Sequence, residues 1–195
     1  MFRTAVSATV LWLLFIGTVV AAPLTDQERQ RLIAHLNMTE GWLIDEVSGL
    51  SAEQLAYRRA PGTWTILEVM DHLLVVGPIY WQDLQDALKG PGGQSSPAKD
   101  ADILWYGIDR TNRETAIPSE VPKGLKDVRA GVEAHRKLHA RLIEYVKATK
   151  DDLRGHIVKR QSCDAYQWAL LISTHEQRHV LQIREIKSDA GFPKK

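Results

Sequence analysis

Apolar residues recur every three or four positions through four long segments of the chain, which is the period of a helix with one buried face. Two of these segments begin with a capping box, Thr25 with Glu28 and Thr65 with Glu68. In this motif the two side chains satisfy backbone N–H groups at the start of the helix. The pattern predicts four helices, over residues 26–48, 65–88, 125–146 and 164–186.

Glycine and proline mark the breaks between and within these segments. Residues 51–62 end in a Pro-Gly pair and are predicted to form a turn between the first two helices. Gly77 and Pro78 lie inside the second helical segment. Because an interior proline removes one backbone hydrogen bond and crowds the preceding turn, we expect a kink just beyond Leu74.

A long connection separates the second predicted helix from the third. Residues 90–124 are rich in glycine and proline, and they show no sustained period apart from a short helix expected near residues 102–112. The sequence pattern contains no clear strand signal and no internal repeat. It therefore predicts an all-α protein, a single four-helix bundle with a long crossover loop between helices two and three.

The N-terminus has the pattern of a secretory signal peptide. Arg3 is the only charged residue before an uncharged run over residues 4–24, which has an apolar centre and small residues near its end. We expect residues 1–22 to be the signal peptide and residues 23–195 to be the mature domain, periplasmic or secreted. The alternative is an uncleaved anchor, because the run is just long enough to cross about 30 Å of hydrocarbon. After cleavage no stable membrane insertion is expected.

The charge balance and the cysteine content restrict the classes of function. Lys and Arg number 25 against 24 Asp and Glu, and loss of Arg3 with the leader makes the domain formally neutral. Nucleic acids attract clustered positive charge, so we expect no nucleic-acid binding. The single cysteine, Cys163, excludes an internal disulfide and a thiolate metal cluster. A metal site would have to use histidine and carboxylate ligands.

The most specific local signal is the run 175–179, of sequence HEQRH, in the fourth helix. Residues four apart lie on one helix face, so His175 and His179 can both point to one place in the bundle as ligands of a divalent metal. The run matches the HExxH pattern of zinc metalloproteases. The extended protease pattern needs Gly and His where this chain has Gln182 and Glu185, so a protease is disfavoured.

Three other histidines bear on this site. His72 lies on the apolar face of the second helix, and three imidazoles converging in a bundle would form the open three-ligand geometry of a catalytic metal site. His135 and His139 are also four residues apart on the buried face of the third helix. Spacing alone does not decide between the pairs, and His72 could complete either one. The competing interpretation is a set of core histidines held by neighbouring polar groups.

Short motifs in the second and fourth helices resemble those of the DinB-like superfamily of metal-dependent enzymes. The motifs are Trp64-Thr65-Ile66, Glu68-Val69, Asp71-His72-Leu73, the HEQRH run and Gln182-Ile183, in that order. The resemblance implies a four-helix bundle with a long crossover and a divalent metal, usually zinc or nickel, with iron or manganese as alternatives. It implies that His72, His175 and His179 are the ligands, and it assigns no ligand to His135 or His139.

The resemblance does not define the reaction. Members of the superfamily include thiol-dependent transferases and isomerases and a proposed metal-dependent hydrolase, and many are homodimers. Because small thiols are kept reduced inside the cell, export favours hydrolysis of a small molecule, whose class the sequence does not specify. Glu176 and Asp71 are then the candidates for moving a proton, and the competing interpretation of both is a solvated residue beside a ligand. Two alternatives stay open: a non-enzymatic metal-binding, ligand-binding or stress-related bundle, and a thiol-dependent transferase.

Overall fold

The computed structural model describes residues 22–92 and 99–194, and these residues are mostly helical. The four long helices agree with the predicted helices to within three residues at each end. The helices of the described residues are α1 (Asp26–Val47), α2 (Ala52–Ala56), α3 (Ile66–Lys89), α4 (Asp100–Tyr106), α5 (Val128–Ala148) and α6 (Ala165–Lys187). The predicted signal peptide lies outside the described residues except for Ala22, and it stays a prediction.

Capping groups fix where the helices begin. The capping boxes predicted for α1 and α3 are both present, and α6 begins with a third, formed by Asp164 and Gln167. The short helix α2 has its own box, formed by Ser51 and Gln54, within the region predicted to be a turn. That part of the prediction is wrong, because a helix of five residues is too short to show a period.

The four long helices form a bundle in which consecutive helices are not the main neighbours. Both α1 and α3 pack mainly against α5 and α6, so α1 and α3 lie on one diagonal of the bundle. Helix α3 continues through Pro78 without ending. Its Gly77 lies against α5, where an added Cβ would come within 2.7 Å of Cδ1 of Leu138. The glycine allows the two helices to approach closely.

The core has an apolar cluster towards each end and a polar layer between them. One cluster contains Leu36 and the fully buried Trp168, and the other contains Leu43 and Met70. All four long helices contribute to the layer between the clusters. Its buried polar residues are Thr39 of α1, His72 of α3, His135 and His139 of α5, and Ser173, His175, Glu176 and His179 of α6. The polar layer therefore contains most of the buried histidine and carboxylate side chains of the described residues.

The connection between α3 and α5 is fastened to α6 along its described part. Helix α4 packs against α6. The Arg178 guanidinium donates to the backbone carbonyls of Tyr106 and Asn112, and the Arg110 guanidinium donates to the Glu185 carboxylate at 2.6 Å. These bonds hold residues 106–112 against the part of α6 that contains His175 and His179.

Two further features complete the described fold. The segment before α6 contains an antiparallel hairpin of β1 (Ile157–Val158) and β2 (Cys163–Asp164). The expectation of no strands is wrong here, because two residues per strand cannot produce an alternating pattern. Within residues 22–92 and 99–194, no helix has both the length and the hydropathy needed to cross a bilayer.

Candidate metal centre

The structure brings His72, His175 and His179 together in the polar layer. The Nε2 atom of His175 lies 3.3 Å from Nε2 of His72 and 3.1 Å from Nε2 of His179, and all three side chains are buried. The two α6 histidines share a face because they are one helical turn apart. His72 reaches them from α3. The triad named by the family resemblance is therefore one spatial group.

Hydrogen bonds at the outer edges of two of these rings determine which nitrogen carries the proton. Nδ1 of His72 lies 2.6 Å from the backbone carbonyl oxygen of Glu120, and Nδ1 of His179 lies 2.8 Å from Oε1 of Gln182. Because carbonyl oxygens only accept, each Nδ1 donates its hydrogen outwards. In the neutral rings, the Nε2 atoms of His72 and His179 then carry no hydrogen, and each has a free lone pair. Such outer partners commonly orient histidines that bind metals.

All three imidazoles are held in the neutral form. Burial and the adjacent His72 lower the pKa of His175 to about 3. Burial lowers the pKa of His72, and burial together with His175 and His72 lowers the pKa of His179 well below its usual value. His175 can donate one proton to one neighbour but not to both. Three nitrogens thus converge with at most one hydrogen among them.

This donor set suits a small divalent cation. Nitrogen ligands at 2.0–2.1 Å in tetrahedral geometry are about 3.3 Å from one another, which is close to the Nε2 separations in the triad. A dication would replace repulsion among the converging lone pairs with three favourable bonds. Three nitrogen ligands also leave coordination positions open for water or substrate, as in catalytic sites.

The metal-free protein is expected to lose stability as the pH falls below about 6.5. The unfolded chain binds protons on these histidines near pH 6.5, whereas the folded triad resists protonation. Below about pH 6.5, each of the three histidines therefore reduces the free energy of unfolding by up to about 1.4 kcal/mol for every unit by which the pH falls. Urea unfolding with a chelator present, at pH 7 and at pH 5.5, measures the effect. Replacing His72 and His179 by Gln should make the free energy of unfolding less dependent on pH. A wild-type protein that is more stable at pH 5.5 than at pH 7 would contradict the prediction.

Asp71 anchors the far end of the connection beside the triad. Its Oδ2 atom accepts backbone N–H groups from Lys123, Gly124 and Leu125 at 2.6, 2.5 and 3.0 Å. Glu120, whose carbonyl orients His72, lies in the same stretch of chain. The contacts of Asp71 thus fix the backbone that sets the orientation of His72. That Asp71 also moves a proton stays a prediction.

Replacement of Asp71 by Ala is expected to lower the free energy of unfolding by about 2–3 kcal/mol, because three backbone donors lose a charged acceptor. Asp71→Asn keeps one oxygen acceptor in place and should lose about half as much. Chemical denaturation of both variants measures the difference. Equal stabilities of the Ala variant and the wild type would mean that the anchor contributes nothing.

The other histidine pair faces Glu176 rather than His72. Oε1 of Glu176 lies 2.6 Å from Nε2 of His135, and Oε2 lies 3.0 Å from Nε2 of His139. The Thr39 hydroxyl donates to Oε2 at 2.7 Å. Burial alone would raise the pKa of Glu176, but His135 and His139 outweigh it and hold that pKa well below the usual range. The carboxylate is therefore charged at neutral pH, and its role in proton transfer stays a prediction.

A large cavity opens onto the triad. Its volume is about 1090 Å³, and His72, His175 and His179 are part of its wall. The ring of Trp64 lies over the site, with its centroid 4.8 Å from that of His72 and 6.3 Å from that of His179. Further wall residues include Tyr80, Tyr106, Arg113, Arg160 and Arg178. A cavity of this size admits a small organic molecule.

Comparison with known proteins gives the family. The sequence profile of the DinB superfamily matches residues 24–183, most of the chain. The chain belongs to the DinB superfamily. This match confirms the resemblance to the superfamily that the short motifs of the second and fourth helices indicated. This superfamily member is also 28 % identical over 156 residues to YuaE, an uncharacterized protein of Bacillus subtilis (strain 168), covering 76 % of this chain and 91 % of YuaE.

A solved structure gives the same fold for this superfamily member. YfiT from Bacillus subtilis, described as a probable metal-dependent hydrolase with an unusual four-helix bundle topology, superposes with a TM-score of 0.59 at 18 % identity. The match covers 87 % of this chain and 91 % of YfiT. At this identity the similarity concerns the fold alone.

Proposed function

We propose that this protein is a metal-dependent hydrolase in which His72, His175 and His179 hold a divalent ion. The observation that supports the proposal most is the convergence of three buried Nε2 atoms with at most one hydrogen among them. Family membership supports it as well, since YfiT is described as a probable metal-dependent hydrolase. Imidazole ligands suit zinc, nickel and iron, and we propose zinc or nickel as the resident ion.

The residues around the triad each have a part in this proposal. When bound, a divalent ion supplies Lewis-acid chemistry and acidifies water at neutral pH. The Glu120 carbonyl and Gln182 keep the lone pairs of His72 and His179 directed inwards. The indole of Trp64 packs beside the rings of His72 and His179 and forms an apolar part of the wall next to the ion. The cavity wall then selects a small substrate by size and polarity.

A substrate screen with matched variants tests the reaction class. Purified protein loaded with Zn²⁺ or Ni²⁺ is assayed with ester, amide, lactone and phosphoester substrates, with and without a small thiol. We expect hydrolysis without thiol that His179→Ala abolishes and His156→Ala, in the hairpin region away from the triad, preserves. Turnover that requires thiol would favour the transferase alternative. Metal binding without turnover would favour the non-enzymatic bundle.

Export is a separate part of the proposal. A cleaved leader over residues 1–22 would deliver the domain to the periplasm or the exterior, where water rather than a reduced thiol is the abundant nucleophile. Mass spectrometry of the protein recovered from a bacterial periplasmic extract tests this point. A mature N-terminus at Pro23 is the expected result, and an intact Met1 terminus in the cytosolic fraction would contradict it.

A further inference from the structure

We propose a second divalent-metal site, distinct from the triad, formed by His135 and His139 of α5 and Glu176 of α6. Nothing in the family resemblance assigns ligands there. Two imidazoles and one carboxylate form a donor set that holds zinc in known catalytic sites. All three side chains are buried, and their ligand atoms lie within 4.8 Å of one another. The proposal stands independently of the hydrolase function.

The geometry brings the donors to one point. His135 and His139 are one turn apart on α5, with ring centroids 4.4 Å apart, so both rings project towards α6. Their Nε2 atoms lie 2.6 and 3.0 Å from the two oxygens of Glu176. The Thr39 hydroxyl holds the orientation of the carboxylate by donating to Oε2. A small contraction or expansion of these separations is enough to place the three donors around one ion.

The outer nitrogens of the two rings have different surroundings. Among the described residues, Nδ1 of His135 and Nδ1 of His139 are buried without a hydrogen-bond partner. The Glu40 carboxylate lies 4.0 Å from Nδ1 of His139. Burial lowers the pKa of His139, but Glu176 and Glu40 outweigh it and raise that pKa. A hydrogen on Nδ1 of His139 is therefore favoured, whereas Nδ1 of His135 has no such acceptor.

A cation at the Nε2 end would fix the tautomer of both rings. A metal-bound imidazole must carry its hydrogen on Nδ1, and the Glu40 carboxylate is positioned to accept it from His139 after a small shift. Glu176 and Glu40 together would balance the charge of a dication. A cavity of about 40 Å³ between α3 and α5, lined by His135, His139 and Glu176, has room for a water that completes the coordination.

Metal stoichiometry in matched variants of the full chain tests the proposal. His135→Gln with His139→Gln keeps an amide N–H donor towards Glu176 but removes both imidazole ligands. The control pair, His72→Gln with His179→Gln, removes two ligands of the triad only. After loading with Co²⁺ or Zn²⁺ and gel filtration, elemental analysis should find about two ions per wild-type chain and about one in each double variant. Circular dichroism tests whether each variant is folded.

The outcomes separate the two sites. If the α5 double variant fails to fold, the control variant still decides, because its remaining Co²⁺ should have the absorption of a site with nitrogen and oxygen ligands. A single wild-type ion that survives in the α5 variant and disappears in the control would overturn the second site and leave the triad. A single ion that disappears in the α5 variant and survives in the control would support the second site and overturn the triad.

Discussion

Replacement of His175 by Gln is expected to weaken Zn²⁺ binding at the triad by at least about 100-fold, more than is typical when only an outer partner of a ligand is lost. His175 is the shared member of the group, because its Nε2 atom lies within 3.3 Å of both other Nε2 atoms. Without the His175 imidazole, only the Nε2 atoms of His72 and His179 remain as ligands of the ion. Competition with a chromophoric chelator measures the affinity, and one strong binding event should disappear.

His156→Gln provides the control for this experiment. His156 precedes the hairpin, outside the polar layer, and its backbone pairs with Gly92 and Ala165. Its replacement should leave the Zn²⁺ affinity within about twofold of the wild type, as for a residue that holds no metal. Equal affinities of the His175 variant and the His156 variant would mean that the converging nitrogens do not bind the ion.

Replacement of Glu176 by Ala is expected to lower the free energy of unfolding of the metal-free protein by about 3–5 kcal/mol. The carboxylate accepts from two buried imidazoles and from the Thr39 hydroxyl. Without it, three buried polar groups lose their acceptor, and His139 loses the main charge that raises its pKa against the effect of burial. Urea denaturation with a chelator present measures the loss.

Glu176→Gln is the matched comparison. The amide keeps one oxygen acceptor and nearly the same volume, so one of the two histidines retains a partner. We expect a loss about half that of the Ala variant, because a neutral acceptor forms weaker bonds than a carboxylate. If the Ala variant loses less than about 1 kcal/mol of the free energy of unfolding, the Glu176 carboxylate does not stabilise the polar layer.

The apolar period predicted the four long helices but not their arrangement. An apolar stripe marks a buried helix face, but it does not indicate which other helix covers that face. The diagonal placement of α1 and α3 therefore became visible only in the tertiary contacts of the structure. The polar layer was predicted only in part, because its histidines and Glu176 were singled out from the sequence, whereas Thr39, which donates to Glu176, was not.

The two histidine pairs show where sequence reasoning stops. His135 with His139 and His175 with His179 have the same spacing on buried helix faces, so only the family resemblance separated them. The structure groups His72 with the α6 pair and turns the α5 pair towards Glu176. The partner that orients His72 is a backbone carbonyl, which no residue type signals. Asp71 was singled out beside His72, but its three backbone donors come from about fifty residues further along the chain.

Anomalous diffraction from crystals of the Zn²⁺-loaded protein tests the central proposal most directly. Data collected on both sides of the zinc absorption edge locate the ion without assumptions about ligands. We expect a peak about 2.0–2.1 Å from the Nε2 atoms of His72, His175 and His179. Loaded crystals with zinc bound elsewhere, or with no peak between these three nitrogens, would contradict the assignment of the triad as the metal centre.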